Sequence, residues 1–260
     1  MGEGVAQPRV LIFSGYGLNC EDETKIAFLR AGVAADIVHL EDVIASPRML
    51  GKYQIAAFPG GFSYGDDTGS GKAYGKRLRQ HLGDELEKFL ARDTLMIGIC
   101  NGFQILTASG ILPGALIAND SARFSCRWVD LEVTGETPWL NGLETLSLPI
   151  AHGEGKYMDT VKNVDALEKS GGVALRYVAG EIAKQQGLSG NPNGSLRDIA
   201  GICDRDGRVF GLMPHPERGS FFEQRPDWTV LREKYERGGK KLPEYAPGIE
   251  VFRNAVRYFK

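Results

Sequence analysis

Short apolar runs punctuate the first half of the chain and are separated by polar, helix-forming stretches. The runs at 9–14, 35–40, 53–61 and 94–100 have the length and apolar character of buried strands. The segment 21–32 between the first two runs is amphipathic and ends at a glycine, which is typical of a helix with a C-terminal glycine. Near-continuous apolar strands joined by helices predict a parallel sheet that is covered on both faces.

Longer strands, with partial alternation of apolar and polar residues, are predicted in the second half. They cover 122–133, 145–157 and 171–178. The segment 199–214 predicts a hairpin, because an Asp-Gly pair lies between two apolar runs. Mixed or antiparallel strands are therefore expected to extend the edge of the sheet.

The last part of the chain is a polar excursion followed by an amphipathic helix. The excursion covers about 219–247 and is rich in Lys, Arg, Glu and Pro, and the helix is predicted at 249–259. No internal repeat or linker divides the chain, and 260 residues can bury a single large core. We therefore expect one α/β domain over residues 1–260, with a central, mostly parallel sheet flanked by helices and an additional mixed or antiparallel strand region.

The composition is that of an ordinary globular protein, with 42% hydrophobic residues, 25% charged residues and a formal net charge of -2. This balance offers no basic surface for nucleic acid. The apolar run at 10–13 is too short for a signal sequence or a membrane span, so no membrane contact is expected and the cytoplasm is the expected compartment.

The cysteines form neither a metal-binding pattern nor a disulfide framework. The four of them lie far apart and include no Cys-x-x-Cys pair, so each is considered alone. Cys126 and Cys203 fall within predicted strands, which indicates core thiols. Cys20 lies in a predicted loop, where a thiol can be exposed.

Two glycine-rich segments resemble phosphate-binding motifs only in part. In SGYGLNC, Cys20 stands where the third glycine of a dinucleotide fingerprint is required. GDDTGSGKA matches a P-loop only at Gly71-Lys72, because Asp66 replaces the leading glycine and Ala73 replaces the residue that would hold magnesium. We therefore predict no nucleotide site in this chain and interpret the second segment as a glycine-rich surface loop.

A cysteine follows the fourth predicted strand, in the sequence GICNG at 98–102. The pattern Gly-x-nucleophile-x-Gly lets a strand turn abruptly into a helix, with the nucleophile at the bend. At a helix N-terminus the free N–H groups and the helix dipole favour the thiolate form. Cys100 is therefore a candidate nucleophile, although this spacing fits a small core residue at a strand end equally well.

Four histidines could supply the base that such a nucleophile requires. His39 and His81 lie in contexts typical of packing or surface residues. His215 stands between two prolines at the end of an apolar strand, and Glu217 follows two residues later. In an extended segment these side chains point the same way, so the carboxylate could orient the imidazole toward the thiol. A second His-x-Glu pair has the same spacing, so spacing alone leaves open which pair is catalytic.

The turn FPGGF after the third predicted strand could supply an oxyanion site. Its amide N–H groups around Gly60, Gly61 and Phe62, together with that of Asn101 after the candidate nucleophile, could stabilise an acyl intermediate. A simple glycine turn between a strand and a helix fits the same residues.

The segments PGG, GICNGFQIL and HPE, in this order and spacing, resemble the class I, or triad, glutamine amidotransferases. Within that superfamily, GGFSYGDD, ARFSCRWV, PIAHGEGKY, NPNGS and PHPER resemble the glutaminase subunits of phosphoribosylformylglycinamidine synthase, an enzyme of purine biosynthesis. The motifs are collinear from Val10 to Phe259. The resemblance implies a flavodoxin-like class I glutamine amidotransferase fold.

The resemblance also implies an activity and a partner. Cys100 would attack the side-chain amide of glutamine, with His215 as the proton carrier and Glu217 orienting it, to give glutamate and ammonia. The ammonia would pass to a synthase subunit that makes formylglycinamidine ribonucleotide. ATP and magnesium would belong to that partner, so no cofactor or metal is expected in this chain. Whether a small third subunit bridges the two is open.

Further residues around the triad take their interpretation from the same resemblance. Gln104, Arg123 and Phe124 are candidates for binding the amino-acid end of glutamine, although Gln104 also fits a helix-packing residue and Arg123 a surface charge. The triad is assigned to HPE. His152 and Glu154 are therefore auxiliary, and a packing function for His152 is open.

Three other function classes fit the sequence less well. A glutaminase serving another synthase, such as one making carbamoyl phosphate or GMP, is disfavoured by Asn101 and by HGEGKY. Cysteine peptidase-like and chaperone-like relatives share the elbow but do not pair it with PGGFSYGD and HPER. A non-catalytic binding subunit would usually have lost part of the triad.

Overall fold

The structure, a computed structural model, describes residues 7–65 and 69–260. Its strands in chain order are β1 (Val10–Ser14), β2 (Ala35–His39), β3 (Ile55–Phe58), β4 (Leu95–Ile99), β5 (Ala115–Ile117), β6 (Ser125–Val133), β7 (Thr145–His152), β8 (Lys156–Met158), β9 (Val173–Val178), β10 (Ile199–Cys203) and β11 (Val209–Leu212). The main sheet is 9-stranded, with the order β2-β1-β3-β4-β11-β10-β9-β6-β7, and β5 pairs with β8 in a separate small sheet.

The α-helices connect these strands and cover the sheet. They are α1 (Glu21–Arg30), α2 (Leu40–Ala45), α3 (Lys72–Leu90), α4 (Asn101–Ala108), α5 (Val161–Lys169), α6 (Glu181–Gln186), α7 (Trp228–Arg237) and α8 (Gly248–Arg257). Short 3-10 turns lie between them, and the one at Pro216–Gly219 matters for the site. None of the helices in the described parts of the chain is both long and apolar enough to cross a bilayer.

One half of the sheet is parallel. Strands β2, β1, β3, β4 and β11 run in the same direction, and every residue of β1, β3, β4 and β11 is buried. Burial on both faces explains why these strands are continuous apolar runs in the sequence. The carboxyl ends of parallel strands meet at one edge of a sheet. The segments that follow β1, β3, β4 and β11 therefore come together there.

The other half is antiparallel and returns to the same edge. Strands β10, β9, β6 and β7 each pair antiparallel with the strand before them in the sheet. Counting the reversals from β11, strand β7 runs in the direction of β4. Its last residue, His152, therefore lies at the edge where β4 ends.

The carboxyl-terminal helix packs on the first helix. Its apolar face is buried, and the Phe252 ring contacts the Phe28 ring of α1 edge-on, with 5.0 Å between the centroids. Asn254 Nδ2 donates to the backbone carbonyls of Trp139 and Asn141 at 3.3 and 2.8 Å. These contacts hold α1, and with it the segment after β1, against the body of the sheet.

The structure confirms most of the predicted elements and shifts some boundaries. The βα alternation, the hairpin at 199–214, the antiparallel extension and the last helix are all present. The excursion at 219–247 contains α7, in which no residue is buried. The segment interpreted as a glycine-rich loop ends earlier than predicted, since α3 begins at Lys72, and residues 66–68 lie outside the described part of the chain.

Candidate active site

Cys100 occupies a sharp bend between β4 and α4. Its φ of 51° is in the left-handed region, which a residue other than glycine rarely adopts. The backbone N–H donates to Leu212 of β11 at 2.8 Å, and this bond holds the strained residue in place. The side chain is 4% exposed, with Sγ 3.7 Å from the Ala151 carbonyl. The thiol therefore lies at the N-terminus of α4, as the sequence pattern predicts for a nucleophile.

His215 and Glu217 form a buried hydrogen-bonded pair. His215 Nδ1 and Glu217 Oε1 are 2.5 Å apart, and the two side chains are 2% and 0% exposed. The contact predicted from the two-residue spacing is present, but the backbone argument for it was wrong. Pro216–Gly219 forms a 3-10 turn and not an extended segment, so the carboxylate reaches the imidazole by a turn of the backbone.

The surroundings of His215 favour its charged form. Burial opposes the imidazolium, but the Glu217 carboxylate and contacts with the thiols of Cys100 and Cys20 outweigh burial and hold the pKa of His215 well above its usual value. Nε2 of the imidazole has no hydrogen-bond partner within the described residues. A base with one nitrogen fixed by a carboxylate and the other free, next to a thiol, can accept and return a proton.

The turn after β3 is fixed by the segment that follows β1. The N–H groups of Asn19 and Cys20 both donate to the Gly60 carbonyl, at 3.1 Å each. Position 60 has no room for a side chain, because a Cβ there would lie 2.6 Å from Cε1 of His215. The turn therefore packs directly against the imidazole.

Amides of this turn and of the elbow differ in their availability to an anion. The Phe62 N–H donates to the Gly17 carbonyl at 2.8 Å and is engaged within the fold. The N–H groups of Gly61 and Asn101 have no acceptor in residues 7–65 and 69–260. Because the C=O and N–H of a trans peptide point in opposite directions, the Gly61 N–H points away from the segment that holds the Gly60 carbonyl.

A chain of hydrogen bonds joins the elbow helix to the loop after β7. Asn101 Oδ1 accepts from the Ser63 N–H at 3.0 Å, and Asn101 Nδ2 donates to Gln104 Oε1 at 2.7 Å. Gln104 Nε2 donates in turn to the Glu154 carbonyl at 2.5 Å. Both polar atoms of Gln104 are thus used inside the protein, as in the packing alternative. Its assignment to substrate stays a prediction.

His152 lies near the His215 imidazole but is neutral. Burial, and then the charge of His215, lowers the pKa of His152 to about 4. Its Nδ1 donates to Asn119 Oδ1 at 3.1 Å, while Nε2 has no partner within the described residues. The Glu154 carboxylate does not approach His152 in the way that Glu217 approaches His215, because it accepts from the Ser70 N–H at 3.0 Å. The geometry of the two His-x-Glu pairs therefore differs, and only the second is a hydrogen-bonded pair.

Arg123 and Phe124 lie on the surface near the turn after β3. Both are exposed, and the Phe124 ring centroid lies 6.1 Å from that of Phe62. The two rings form an apolar rim beside the oxyanion turn.

The other cysteines differ from their predicted settings in two cases. Cys20 is buried, not exposed, and Cys126 is exposed although it lies within β6. The Cys126 position is explained by uneven cover along β6, because Ser125–Trp128 are exposed or half-buried whereas Val129–Leu131 are buried. Cys203 is buried as expected, and burial raises the pKa of its thiol to about 12.

Sequence reasoning missed two side chains that the fold places against the triad. One is Cys20, and the other is Arg218, which directly follows Glu217 and donates through Nη2 to Cys20 Sγ at 3.1 Å. No spacing in the sequence links positions almost two hundred residues apart, although PHPER and SGYGLNC were both noted as motifs.

One group of side chains in the described ranges has the donor types of a metal site. Donor atoms of Cys20, His215 and Glu217 all lie within 4.8 Å of one another. The His215–Glu217 distance of 2.5 Å is that of a hydrogen bond. Two ligands of one zinc ion would lie about 3.3 Å apart. The Arg218 guanidinium also donates a hydrogen bond to the Cys20 thiol. The cluster is therefore a hydrogen-bonded His–Glu pair with a thiol beside it.

Comparisons with known proteins place this geometry in a family. The family model for the CobB/CobQ-like glutamine amidotransferase domain matches residues 7–259. A protein of Methanococcus maripaludis named phosphoribosylformylglycinamidine synthase subunit PurQ is 42% identical over 265 residues, which cover 97% of each chain. This chain belongs to the PurQ family of glutamine amidotransferases. A PurQ protein of Dehalococcoides mccartyi is 38% identical, with 98% of each chain covered.

Solved structures agree with this PurQ assignment. A chain in the structure of PurLQS from Thermotoga maritima superposes with a TM-score of 0.73 at 34% identity, covering 98% of this chain and 100% of that one. The fold class predicted from the sequence is thereby confirmed. The match to the CobB/CobQ-like glutamine amidotransferase domain spans the excursion at 219–247, since it runs to residue 259.

Proposed function

We propose that this chain is the glutaminase subunit of phosphoribosylformylglycinamidine synthase and that a Cys-His-Glu triad releases ammonia from glutamine. Membership of the PurQ family supports the substrate and the pathway. The observation that carries the proposal is the position of Cys100 at a strained helix N-terminus beside the His215–Glu217 pair. The chain works as a single glutamine amidotransferase domain.

In the proposed reaction Cys100 Sγ attacks Cδ of the glutamine side chain. His215 takes the proton of the thiol as the C–S bond forms and gives it to the leaving nitrogen as the C–N bond breaks, so that ammonia leaves and a thioester remains. His215 then takes a proton from the water that attacks the thioester and returns it to the sulfur as the C–S bond breaks, so that glutamate leaves and the thiol is restored. Glu217 keeps the imidazole in the tautomer that faces the thiol. Each step moves one proton through His215.

Two backbone amides are available to stabilise the negative charge of the tetrahedral intermediates. Gly61 and Asn101 have N–H groups without internal acceptors, whereas that of Phe62 is engaged. One such donor contributes about 2.7 to 4 kcal/mol in comparable enzymes. The fixed Gly60 carbonyl sets the direction of the Gly61 N–H before substrate arrives.

Binding of the amino-acid end of glutamine is assigned to the rim of the site. Arg123 offers a guanidinium for the carboxylate, and Phe124 offers an apolar surface, since both are exposed beside the turn. Gln104 and Glu154 maintain the floor through their hydrogen bonds. His152 is auxiliary and presents a neutral Nε2.

The partner is proposed to be the synthase subunit, which receives ammonia directly. The related Thermotoga chain belongs to a structure of PurLQS, a name that includes further subunits. This supports a synthase partner and a small third subunit here. ATP and magnesium are assigned to the partner, and the cytoplasm is the proposed compartment.

The proposal is tested by measuring glutamate release from glutamine by this chain copurified with its cellular partners. We expect release to rise sharply only when both ATP and formylglycinamide ribonucleotide are present. Glutamate release that does not depend on the nucleotide would support the thiol chemistry but overturn the assigned pathway. Absence of release under all conditions would overturn both.

A second prediction concerns Glu217→Gln, which keeps the size of the side chain and removes its charge. We expect kcat for glutamate release to fall roughly a hundredfold or more with little change in KM, because the imidazole loses its orienting partner. The pKa of His215 falls when the carboxylate is gone, so the imidazolium is lost at lower pH and the alkaline limb of the kcat profile moves to lower pH. Glu236→Gln on the exposed helix α7 is the control. An unshifted alkaline limb would contradict the orienting function.

A further inference from the structure

Two side chains that touch the triad take no part in the steps above. Cys20 follows the loop after β1, and Arg218 follows Glu217 in the 3-10 turn. Neither lies on the route of the proton or the acyl group. Their contacts nevertheless connect α1 to the His215–Glu217 pair.

Cys20 is built into the site by its backbone and by its side chain. Its N–H donates to the Gly60 carbonyl at 3.1 Å, and its thiol donates to Asn19 Oδ1 at 3.4 Å. Burial raises the pKa of this thiol, so Cys20 is neutral. Its Sγ lies within 4.8 Å of donor atoms of both His215 and Glu217.

Arg218 is anchored from the side of α1. Its Nη2 donates to Cys20 Sγ at 3.1 Å and lies 3.6 Å from Glu23 Oε1. The side chain is 38% exposed, so its charge is partly screened. Cys20 Sγ therefore contacts the guanidinium and also lies within 4.8 Å of donor atoms of the buried pair.

We propose that Arg218 is a positioning residue for the His215–Glu217 pair and that Cys20 is the neutral acceptor that holds its guanidinium there. This inference rests on the proposed function, because the pair has a task only if Cys100 is the nucleophile. Arg218 touches neither substrate nor the reacting atoms. It acts through the charge and the placement of its neighbours.

The charges around Arg218 explain how it acts. Burial disfavours its guanidinium charge, but the anionic groups around it, Glu217 and Glu23 among them, outweigh burial and raise the pKa of Arg218. The neutral Cys20 thiol contributes a hydrogen-bond acceptor and no charge. By reciprocity, the guanidinium favours the anionic forms of the groups that face it.

Four elements contribute titratable groups near Arg218 and His215 that affect a pH profile. The α1 side supplies Cys20 and Glu23, the 3-10 turn supplies Glu217 and His215, and the elbow supplies Cys100. From β7, His152 faces His215 and is neutral near pH 7. Replacing Arg218 by a neutral residue therefore removes the cation that stabilises the anionic groups of this cluster and leaves the other charges in place.

The experiment compares Arg218→Met with Arg218→Lys in the complete complex. We expect Arg218→Met to lower kcat for glutamate release about tenfold, below the hundredfold that a 1 Å misplacement of a catalytic group can cost, with KM unchanged. The acid limb of its kcat/KM profile should move up by about half a pH unit, as expected for loss of a partly screened cation. Arg218→Lys should restore the limb and most of kcat.

The acceptor is tested with Cys20→Ser and Cys20→Ala. Serine keeps an acceptor for the guanidinium and should stay within about twofold of the native kcat, whereas alanine removes it and should approach Arg218→Met. A changed unfolding temperature with native kinetics in both Arg218→Met and Cys20→Ala would show a purely structural contact and overturn the inference.

A second readout separates failure of this inference from failure of the proposed function. The pH midpoint of Cys100 alkylation by iodoacetamide, measured on the Cys100-containing peptide by mass spectrometry, requires no glutaminase activity. We expect Arg218→Met to raise this midpoint and Arg218→Lys to leave it unchanged. If the native complex releases glutamate but neither Arg218 variant changes the alkylation midpoint, this inference is overturned and the proposed function stands. Native complex that releases none overturns the proposed function, and the midpoint still decides whether Arg218 acts on the thiol.

Discussion

Cys100→Ala is expected to abolish glutamine-dependent synthesis by the complex while ammonia-dependent synthesis continues. The substitution removes the only atom that forms the thioester, so glutamate release should fall by at least about a thousandfold. Free ammonia bypasses this step, because the synthase chemistry is assigned to the partner. The measurement is product formation with glutamine and, separately, with an ammonium salt at a pH that supplies free ammonia.

The matched control is Cys126→Ala, which removes an exposed thiol from β6. We expect it to change neither activity by more than about twofold, as for other exposed positions away from special features. Loss of both activities in Cys100→Ala, with the complex still assembled, would mean that position 100 supports the partner and not a thioester. Retained glutamine-dependent activity would exclude Cys100 as the nucleophile.

Gly102→Ala is expected to be strongly destabilising, because among the described glycines a Cβ added at position 102 would approach the backbone most closely. A Cβ at position 102 would lie 1.9 Å from the carbonyl oxygen of Phe58 and 2.6 Å from its carbonyl carbon. Both contacts are with backbone, so no side-chain rotation relieves them, and α4 must move away from β3. We expect a loss of at least about 3 kcal/mol, at the upper end for overpacked cores. Thermal unfolding should show a drop of roughly 6 to 12 °C or a failure to fold.

Gly83→Ala is the control for this prediction. Gly83 lies within the long helix α3, and a Cβ there would meet nothing within 4 Å. Alanine in the middle of a helix is more stable than glycine by about 0.5 to 1 kcal/mol. The same added methyl group should therefore raise the unfolding temperature slightly. If Gly102→Ala unfolds at the native temperature, the elbow does not pack on β3 as tightly as the structure places it.

Four of the five parallel strands, β1 to β4, could be predicted because each is an apolar run in a series that alternates with helical segments. The parallel pairing of β11 with β4 was not predicted, because the sequence shows β11 only as the second strand of a hairpin. A strand that is buried on both faces has apolar residues at consecutive positions and is recognisable as a continuous apolar run. The Gly-x-Cys-x-Gly pattern marks the bend that follows β4. The nucleophile's place at the end of β4 followed from these two local signals. The exposure of Cys126 was missed because an apolar strand pattern does not say which of its faces is covered.

Contacts between distant segments could not be predicted in this way. The spacing of His215 and Glu217 suggested an extended segment, but two residues in a turn can reach each other as well. The engagement of the Phe62 amide depends on Gly17, and the position of Arg218 depends on Cys20, which no local pattern connects. Which amides are free and which cations are near is decided by tertiary packing.

The arrangement of the strands has a consequence for the protein while it is being synthesised. The thiol is placed after β4, but the imidazole comes only after β11, near the end of the chain. When the segments that contain Cys100 and the turn at Gly60 and Gly61 leave the ribosome, His215, the proposed proton carrier, has therefore not yet been synthesised. If the proposed function holds, glutamine is consumed only once the late strands have entered the sheet. An incomplete or truncated polypeptide is then expected to release no ammonia.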